Sequence, residues 1–473
     1  MQFYRLQRKK TPTSGGSKRL ALPDARAAIT AFGIFTLVGL ALTGQAVSWP
    51  MMYDDLHLIR AFSNEQLVSS LWGSWDPDGL ETPGLRPFTL LFNHVRYLVF
   101  GENVVAHRLF LVVLLAAYLT LIHQLAQGFG MSGFAALAAG LVFLCAKHSI
   151  YHYTWISDGI HIVPGLAFGL SVRWLVTGLE RVAWKRLALS LVAFAAGLLT
   201  REDMLAVAPI TVLLGFVAAA RLPAASRRTM IAYTACLIAM TAALMAYRFA
   251  VVPSLGEKPP AGLPGYFDTL GMSFNPMGPK SFGGLSDVLR QGWPALILLL
   301  LVSGCLMSRF KLPLRGPLLW LACFALACLP GVVETRTNLL FFPVTFVALF
   351  VVAALTALAQ TLPVFRAPAL ITLAATVFGG FYMSTIAMLG FHPYSSVVVR
   401  WNSEFLYGQY AAQATIPDQR RQATAERLAA AGIRSADDMG SILPELIRQA
   451  TDEQRHWPGP DGVVFVPLIR PGF

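Results

Sequence analysis

Charge is scarce in this chain. Asp, Glu, Lys and Arg make up 13% of its 473 residues, where a soluble domain carries about a quarter. With 55% hydrophobic residues and a mean hydropathy of +0.58, the composition excludes an ordinary water-soluble enzyme and fits an all-α polytopic membrane protein. Cysteine is sparse too. The five (Cys145, Cys236, Cys305, Cys323 and Cys328) all lie in apolar runs, without metal-site spacing, and indicate no disulfide framework. No inverted internal repeat of the kind found in many secondary transporters is visible. The first apolar run, Ala27 to Trp49, is followed by no small-residue cleavage site and reads as a retained signal anchor. Acid is scarcer than base, 25 residues against 37, a formal net charge of +12. That excess does not point to nucleic acid. Arg5, Arg8, Lys9, Lys10, Lys18, Arg19 and Arg26 gather in a basic tail, 1–26, beside a span, where such clusters set topology and touch anionic lipid.

Apolar runs of suitable length number about eleven: 27–48, 106–128, 132–152, 161–179, 187–200, 204–220, 229–252, 291–308, 316–332, 339–360 and 367–390. With the tail cytoplasmic, the inner loops are short and basic: "ERVAWKR", "RLPAASRR", "RFKLPLR" and "TLPVFR". That is the positive-inside pattern. The membrane domain is then 27–390. Loop 49–105 faces outward, and 391–473 form a small outer tail. In a bacterium the protein would be a multi-pass inner-membrane protein with a periplasmic carboxyl terminus. Within the first outer loop, "LHLIRAFSNEQLVSSLW" and "RPFTLLFNHVRYLVFG" place apolar residues at helical spacing and predict two interfacial helices.

The unusual residues fall on the outer side. "WPMMYDDLHLIR" sets Asp54 beside Asp55 directly after the first span. They either cap an interfacial helix or do acid–base chemistry. "HSIYHYTWISDGIH" carries Asp158 with His148, His152 and His161; it invites a metal hypothesis but matches no closed zinc spacing. "TRED" carries Arg201, Glu202 and Asp203 after an apolar run of 14 residues from Leu187. At about 1.5 Å per residue that run falls short of a hydrocarbon core of about 30 Å. The three charges therefore either face a water-filled cavity or tie helices together. "VVETRTNLLFFP" carries Glu334 and Arg336, the arginine being either a snorkelling anchor or a bidentate phosphate ligand. Four such clusters on one side imply a shared cavity.

The order of these segments resembles the GT-C superfamily of membrane glycosyltransferases. It is a span, an Asp–Asp pair, "RPF", "GENVVAHRL", an Asp after span three, "RED" between two short spans, and "ETRTNLLFFP". The likeness covers about residues 27–360. It is strongest to the branch of protein O-mannosyltransferases, tetratricopeptide-bearing lumenal O-mannosyltransferases and lipid A aminoarabinose transferases. "RPF" here lacks a preceding Tyr, "RED" stands for the usual Lys–Glu, and tetratricopeptide repeats are absent.

The resemblance implies a GT-C-type fold and transfer of a sugar from a polyprenyl-phosphate-linked donor to a hydroxyl on a glycan, lipid or protein of the cell envelope. It maps the catalytic carboxylate to Asp54, with Asp55 beside it, and the second acidic motif to Asp158. Arg86, Arg201, Glu202 and Arg336 map to positions lining the donor or acceptor cavity, and His161, Asp203 and Glu334 adjoin them in sequence. Mg²⁺ or Mn²⁺ on Asp54 and Asp158 would suit oxygen ligands, although several relatives work without metal. The competing classes are a flippase or polysaccharide exporter, and a ligase or polymerase joining lipid-linked glycans.

Overall fold

A computed structural model describes residues 25–44, 46–48, 51, 53–77, 84–252, 315–329, 341–374, 376–378, 381, 418–435, 438 and 441. All regular structure among them is helical. The chain runs through α1 (Ala25–Thr43), α2 (Tyr53–Leu58), α3 (Asn64–Trp72), α4 (Pro87–Phe100), α5 (Val104–Gly128), α6 (Gly133–Cys145) and α7 (Lys147–Thr154). It continues through α8 (Ile162–Arg181), α9 (Trp184–Thr200), α10 (Ala208–Ala219), α11 (Ala224–Val251), α12 (Arg315–Ala327) and α13 (Phe341–Thr361). Among the described residues, six helical stretches are long and apolar enough to cross a membrane: α1, α5, Asp158–Arg181, Glu202–Ala219, α11 and α13. They coincide with six of the expected spans. The expected span 291–308 lies outside the described residues, and of 367–390 only part is described.

Two expected spans differ in detail. The run 132–152 is broken at Ala146, whose backbone is extended (φ −68°, ψ 139°). The Phe143 carbonyl, orphaned at the end of α6, is taken up by the Ala146 amide at 3.0 Å and by the Ser149 hydroxyl at 2.5 Å. Such local bonding lets the chain leave the helix without an unsatisfied buried carbonyl. The run from Leu187 begins three residues earlier, at Trp184, making α9 17 residues long. It rises about 26 Å, still less than a full hydrocarbon core.

The expected helix over 56–72 is two helices. Ser63 interrupts it with a capping box: its hydroxyl accepts from the Gln66 amide, and the Gln66 side chain accepts from the Ser63 amide. This arrangement satisfies two orphan donors and starts a new helix. Pro87 stands in the first turn of α4, where its missing N–H costs nothing.

Small residues let the long helices approach. A Cβ on Gly39 would sit 2.9 Å from a Val112 methyl, joining α1 to α5, and a Cβ on Gly140 would sit 2.4 Å from the Phe35 ring, joining α1 to α6. Aromatic rings fill the centre. Phe341 at the head of α13 lies 4.9 Å from Tyr118 and 5.5 Å from Phe143, ring to ring. The Tyr118 hydroxyl shares a 2.8 Å hydrogen bond with Thr345. These rings form the floor beneath the charged end of the bundle. Gly140→Ala should force the boxed-in Phe35 ring to move and cost about 1–3 kcal/mol, read as a lowered thermal-unfolding midpoint in detergent; an unchanged midpoint would show that α1 is not held by this contact.

Candidate functional site

The charged residues meet where α2, α4 and the ends of α5, α7, α9 and α11 converge. Crossing bonds hold that end together. The Thr89 hydroxyl of α4 donates at 2.6 Å to the Thr200 carbonyl at the end of α9. The Tyr247 hydroxyl of α11 donates at 2.5 Å to Leu71 of α3. The Phe62 amide donates at 2.9 Å to His94 of α4. The Thr200 and Leu71 carbonyls lie near helix ends, where intrahelical partners run out, and His94 accepts through its ring Nδ1.

After Thr200 the chain does not turn out into solvent. Arg201 is extended, and Glu202–Val207 form a 3-10 helix leading straight into α10. The charges of "RED" are thereby held partly or fully buried between two apolar helices. Their partners come from distant segments. Arg86 Nε donates to Glu202 Oε2 at 2.5 Å, and Arg248 Nε lies 3.9 Å from Glu202 Oε1. Arg201 Nε lies 3.6 Å from Asp203 Oδ1. The Arg86 guanidinium also stands over the Trp75 ring, 5.6 Å from its centre, a cation–π contact. Gly84 permits this crossing: a Cβ there would meet Glu202 Oε1 at 2.8 Å and Arg86 Nε at 3.2 Å.

Asp158 opens a 3-10 turn, Asp158–His161, ahead of α8. Two imidazoles flank its carboxylate, His152 Nδ1 at 3.1 Å and His161 Nε2 at 3.3 Å. The other nitrogen of His161 lies 3.4 Å from Asp203 Oδ2. The order His152–Asp158–His161–Asp203–Arg201 is thus one continuous polar chain, linking the second outer loop to "RED". Both nitrogens of His161, Arg201 Nε, Glu202 Oε1 and Asp203 Oδ1 are buried and make no well-aligned hydrogen bond among the described residues. Buried polar atoms held only by such long ionic contacts are uncommon, and a cluster of them suits a site that receives a polar ligand.

Both adjacent aspartates fall in the first turn of α2, where the helix dipole favours them. They differ in setting. Asp54 is partly exposed. Asp55 is fully buried, and its Oδ1 accepts at 2.6 Å from the Ser157 amide.

The structure therefore brings together Arg86, Asp158, His161, Arg201, Glu202 and Asp203, and ties Asp55 to the residue before Asp158. Glu334 and Arg336 lie outside the described residues, as does the His148 side chain. Sequence reasoning missed Arg248, His152 as a partner of Asp158, Trp75, and two arginines of the outer segments, Arg96 and Arg108. One signal was available: with the topology expected from the basic loops, all three arginines fall where the positive-inside rule calls for no basic residue.

A divalent cation is not well served by this arrangement. Among the described residues no group of three or more His, Cys, Asp or Glu is placed to hold a metal ion. Asp158 is flanked by nitrogen donors, and no third carboxylate is placed to join it and Asp54 among the described residues as the converging oxygens that Mg²⁺ or Mn²⁺ requires.

One expectation follows. Gly84→Ala should split Arg86 from Glu202 and lower stability by about 1–3 kcal/mol; the thermal midpoint should recover in part when the shorter Glu202→Asp is added, and equal loss in both variants would refute the steric account. Comparison of the chain with protein-family models, with curated proteins and with solved structures finds no match.

Proposed function

We propose that this protein is an integral membrane glycosyltransferase that moves a sugar from a polyprenyl-phosphate-linked donor to a hydroxyl acceptor. The observation that carries this reading is the gathering of Arg86, Arg201 and Arg248 with Asp158, Glu202 and Asp203 at one end of an apolar helical bundle. A lipid-linked sugar phosphate needs both surroundings at once: an apolar wall for its chain and forked cations for its phosphate. The order of motifs shared with the GT-C superfamily supports the same reading. In it the chain has the GT-C-type fold with about eleven spans and a cytoplasmic amino terminus. The site and the tail 391–473 face the periplasm.

The chemistry follows from what each group can do. A hydroxyl is a weak nucleophile at neutral pH, and a carboxylate that takes its proton as attack develops speeds the step. Asp54, the more exposed of the pair, is the base. The acceptor oxygen forms a bond to the anomeric carbon, the bond from that carbon to the phosphate oxygen breaks, and the phosphate leaves with the electron pair. Direct displacement inverts the anomeric centre. Negative charge growing on the phosphate is stabilised by the guanidinium groups. Asp158, steadied by His152 and His161, orients the acceptor.

Purified protein in lipid, given radiolabelled polyprenyl-phosphate sugars and membrane-extract acceptors, should transfer label. Asp54→Asn should lower the rate by about 10²–10⁴ with the variant still folded. Wild-type turnover in Asp54→Asn would remove Asp54 from the mechanism. Absence of transfer by the wild type from every donor would overturn the reading.

A further inference from the structure

Trp155–Ser157, between α7 and the turn that opens with Asp158, lie outside regular helix, and their backbone together with the Thr154 carbonyl at the end of α7 needs outside partners. Three charged side chains from three helices supply them. Arg108 of α5 donates through Nε to the Thr154 carbonyl at 2.8 Å. Arg96 of α4 donates to the Ile156 carbonyl at 3.0 Å. Asp55 of α2 accepts from the Ser157 amide at 2.6 Å. Arg108 also reaches the Val47 carbonyl at 3.2 Å, beyond the end of α1.

These charges are sealed from water. Asp55, Arg96 and Arg108 are 0%, 2% and 0% exposed. Met51, Leu56, Ile59 and Ile156 form an apolar cluster around the loop, with Tyr97 and Val104 packed against it. Asp55 acts electrostatically on both arginines. Burial pushes Arg96 down to about 10, and the Asp55 charge pulls the other way. Neutral groups could satisfy three backbone atoms at lower cost, because each buried ion forfeits several kcal/mol of hydration. What ions add is stiffness: a charge-assisted bond in a dry site is strong and tolerates little displacement.

The placement of one bond gives that stiffness a purpose. Asp55 directly follows Asp54, and Ser157 directly precedes Asp158. We infer that Asp55, Arg96 and Arg108 form a buried clamp that fixes Asp158 relative to Asp54, so that Asp55 is a positioning residue. The roles of Asp54 and Asp158 rest on the proposed transferase reading; the clamp rests on geometry alone.

Amide hydrogen exchange of the lipid-embedded protein tests it, together with transfer kinetics. Asp55→Asn should speed exchange across 154–158 by about tenfold or more, with α6 and α8 unchanged. Arg96→Lys, which keeps the charge but loses the planar fork, should do the same more weakly and fold where a neutral variant does not. In the transfer assay, loss of alignment should lower kcat by about tenfold or more and leave KM within about twofold.

Unchanged exchange at 154–158, exchange raised throughout the chain, or a rise in KM at constant kcat would overturn the clamp. If the wild type transfers no sugar, the functional reading fails and the exchange pattern alone decides the clamp.

Discussion

An ion held within an apolar bundle needs a partner of opposite charge or a set of aligned dipoles, and this requirement shapes one whole end of the molecule. Glu202 stands between Arg86 and Arg248, Asp203 between Arg201 and His161, and Asp158 between two histidines. The pairs Arg86–Glu202, Arg248–Glu202 and His161–Asp203 join segments far apart in the chain, and local pairs link these into one network. Breaking one would leave a charge where water cannot reach it easily. The polar network therefore does what a hydrophobic core does elsewhere: it specifies which helix ends lie side by side. The apolar contacts below it, among Phe341, Tyr118 and Phe143, are less selective, because lipid is as apolar as the rings themselves.

The backbone obeys a related constraint. Where a helix ends inside the bundle its carbonyls must still be satisfied. Thr200 is capped by the Thr89 hydroxyl, Thr154 and Ile156 by arginines, and Phe143 by Ser149. The irregular stretches at 155–161 and 201–207 carry the candidate site. Non-helical backbone at membrane depth is tolerated where protein or a cavity surrounds it, and it is there that side chains can be aimed away from the helical lattice. The same irregularity accounts for the charges of "RED". A plain turn would have delivered them to solvent; the 3-10 continuation into α10 keeps them among partners.

Much of the helical plan was legible in the sequence. A transmembrane run announces itself by length and composition, so α1, α5, α8, α10, α11 and α13 fall close to where the apolar runs predict. Short-range chemistry was less legible. The Ser63 capping box that divides α3 from α2 was present as Ser-Asn-Glu-Gln, yet the apolar spacing over 56–72 spoke for one helix. The break at Ala146 has no Gly or Pro to mark it. It depends on Ser149 reaching back to Phe143, a bond that competes with the helix without changing its hydropathy.

Residue types and their order were sequence properties: the scarcity of charge, the short basic loops, and the aspartates, "RED" and arginines set at the ends of apolar runs. Pairing was not. Nothing in the local sequence says that Arg86 meets Glu202 across 116 positions, or that Asp55 holds the amide of Ser157 across 102. Side chains of one charge look alike in sequence whatever their partner. Only the packing of helix ends decides which carboxylate faces an arginine, which faces a histidine, and which is closed off from water. Asp54 and Asp55 show the difference most plainly. They are identical neighbours in the chain, but the turn of α2 separates their directions by about 100°, leaving one partly exposed and burying the other against the loop that carries Asp158.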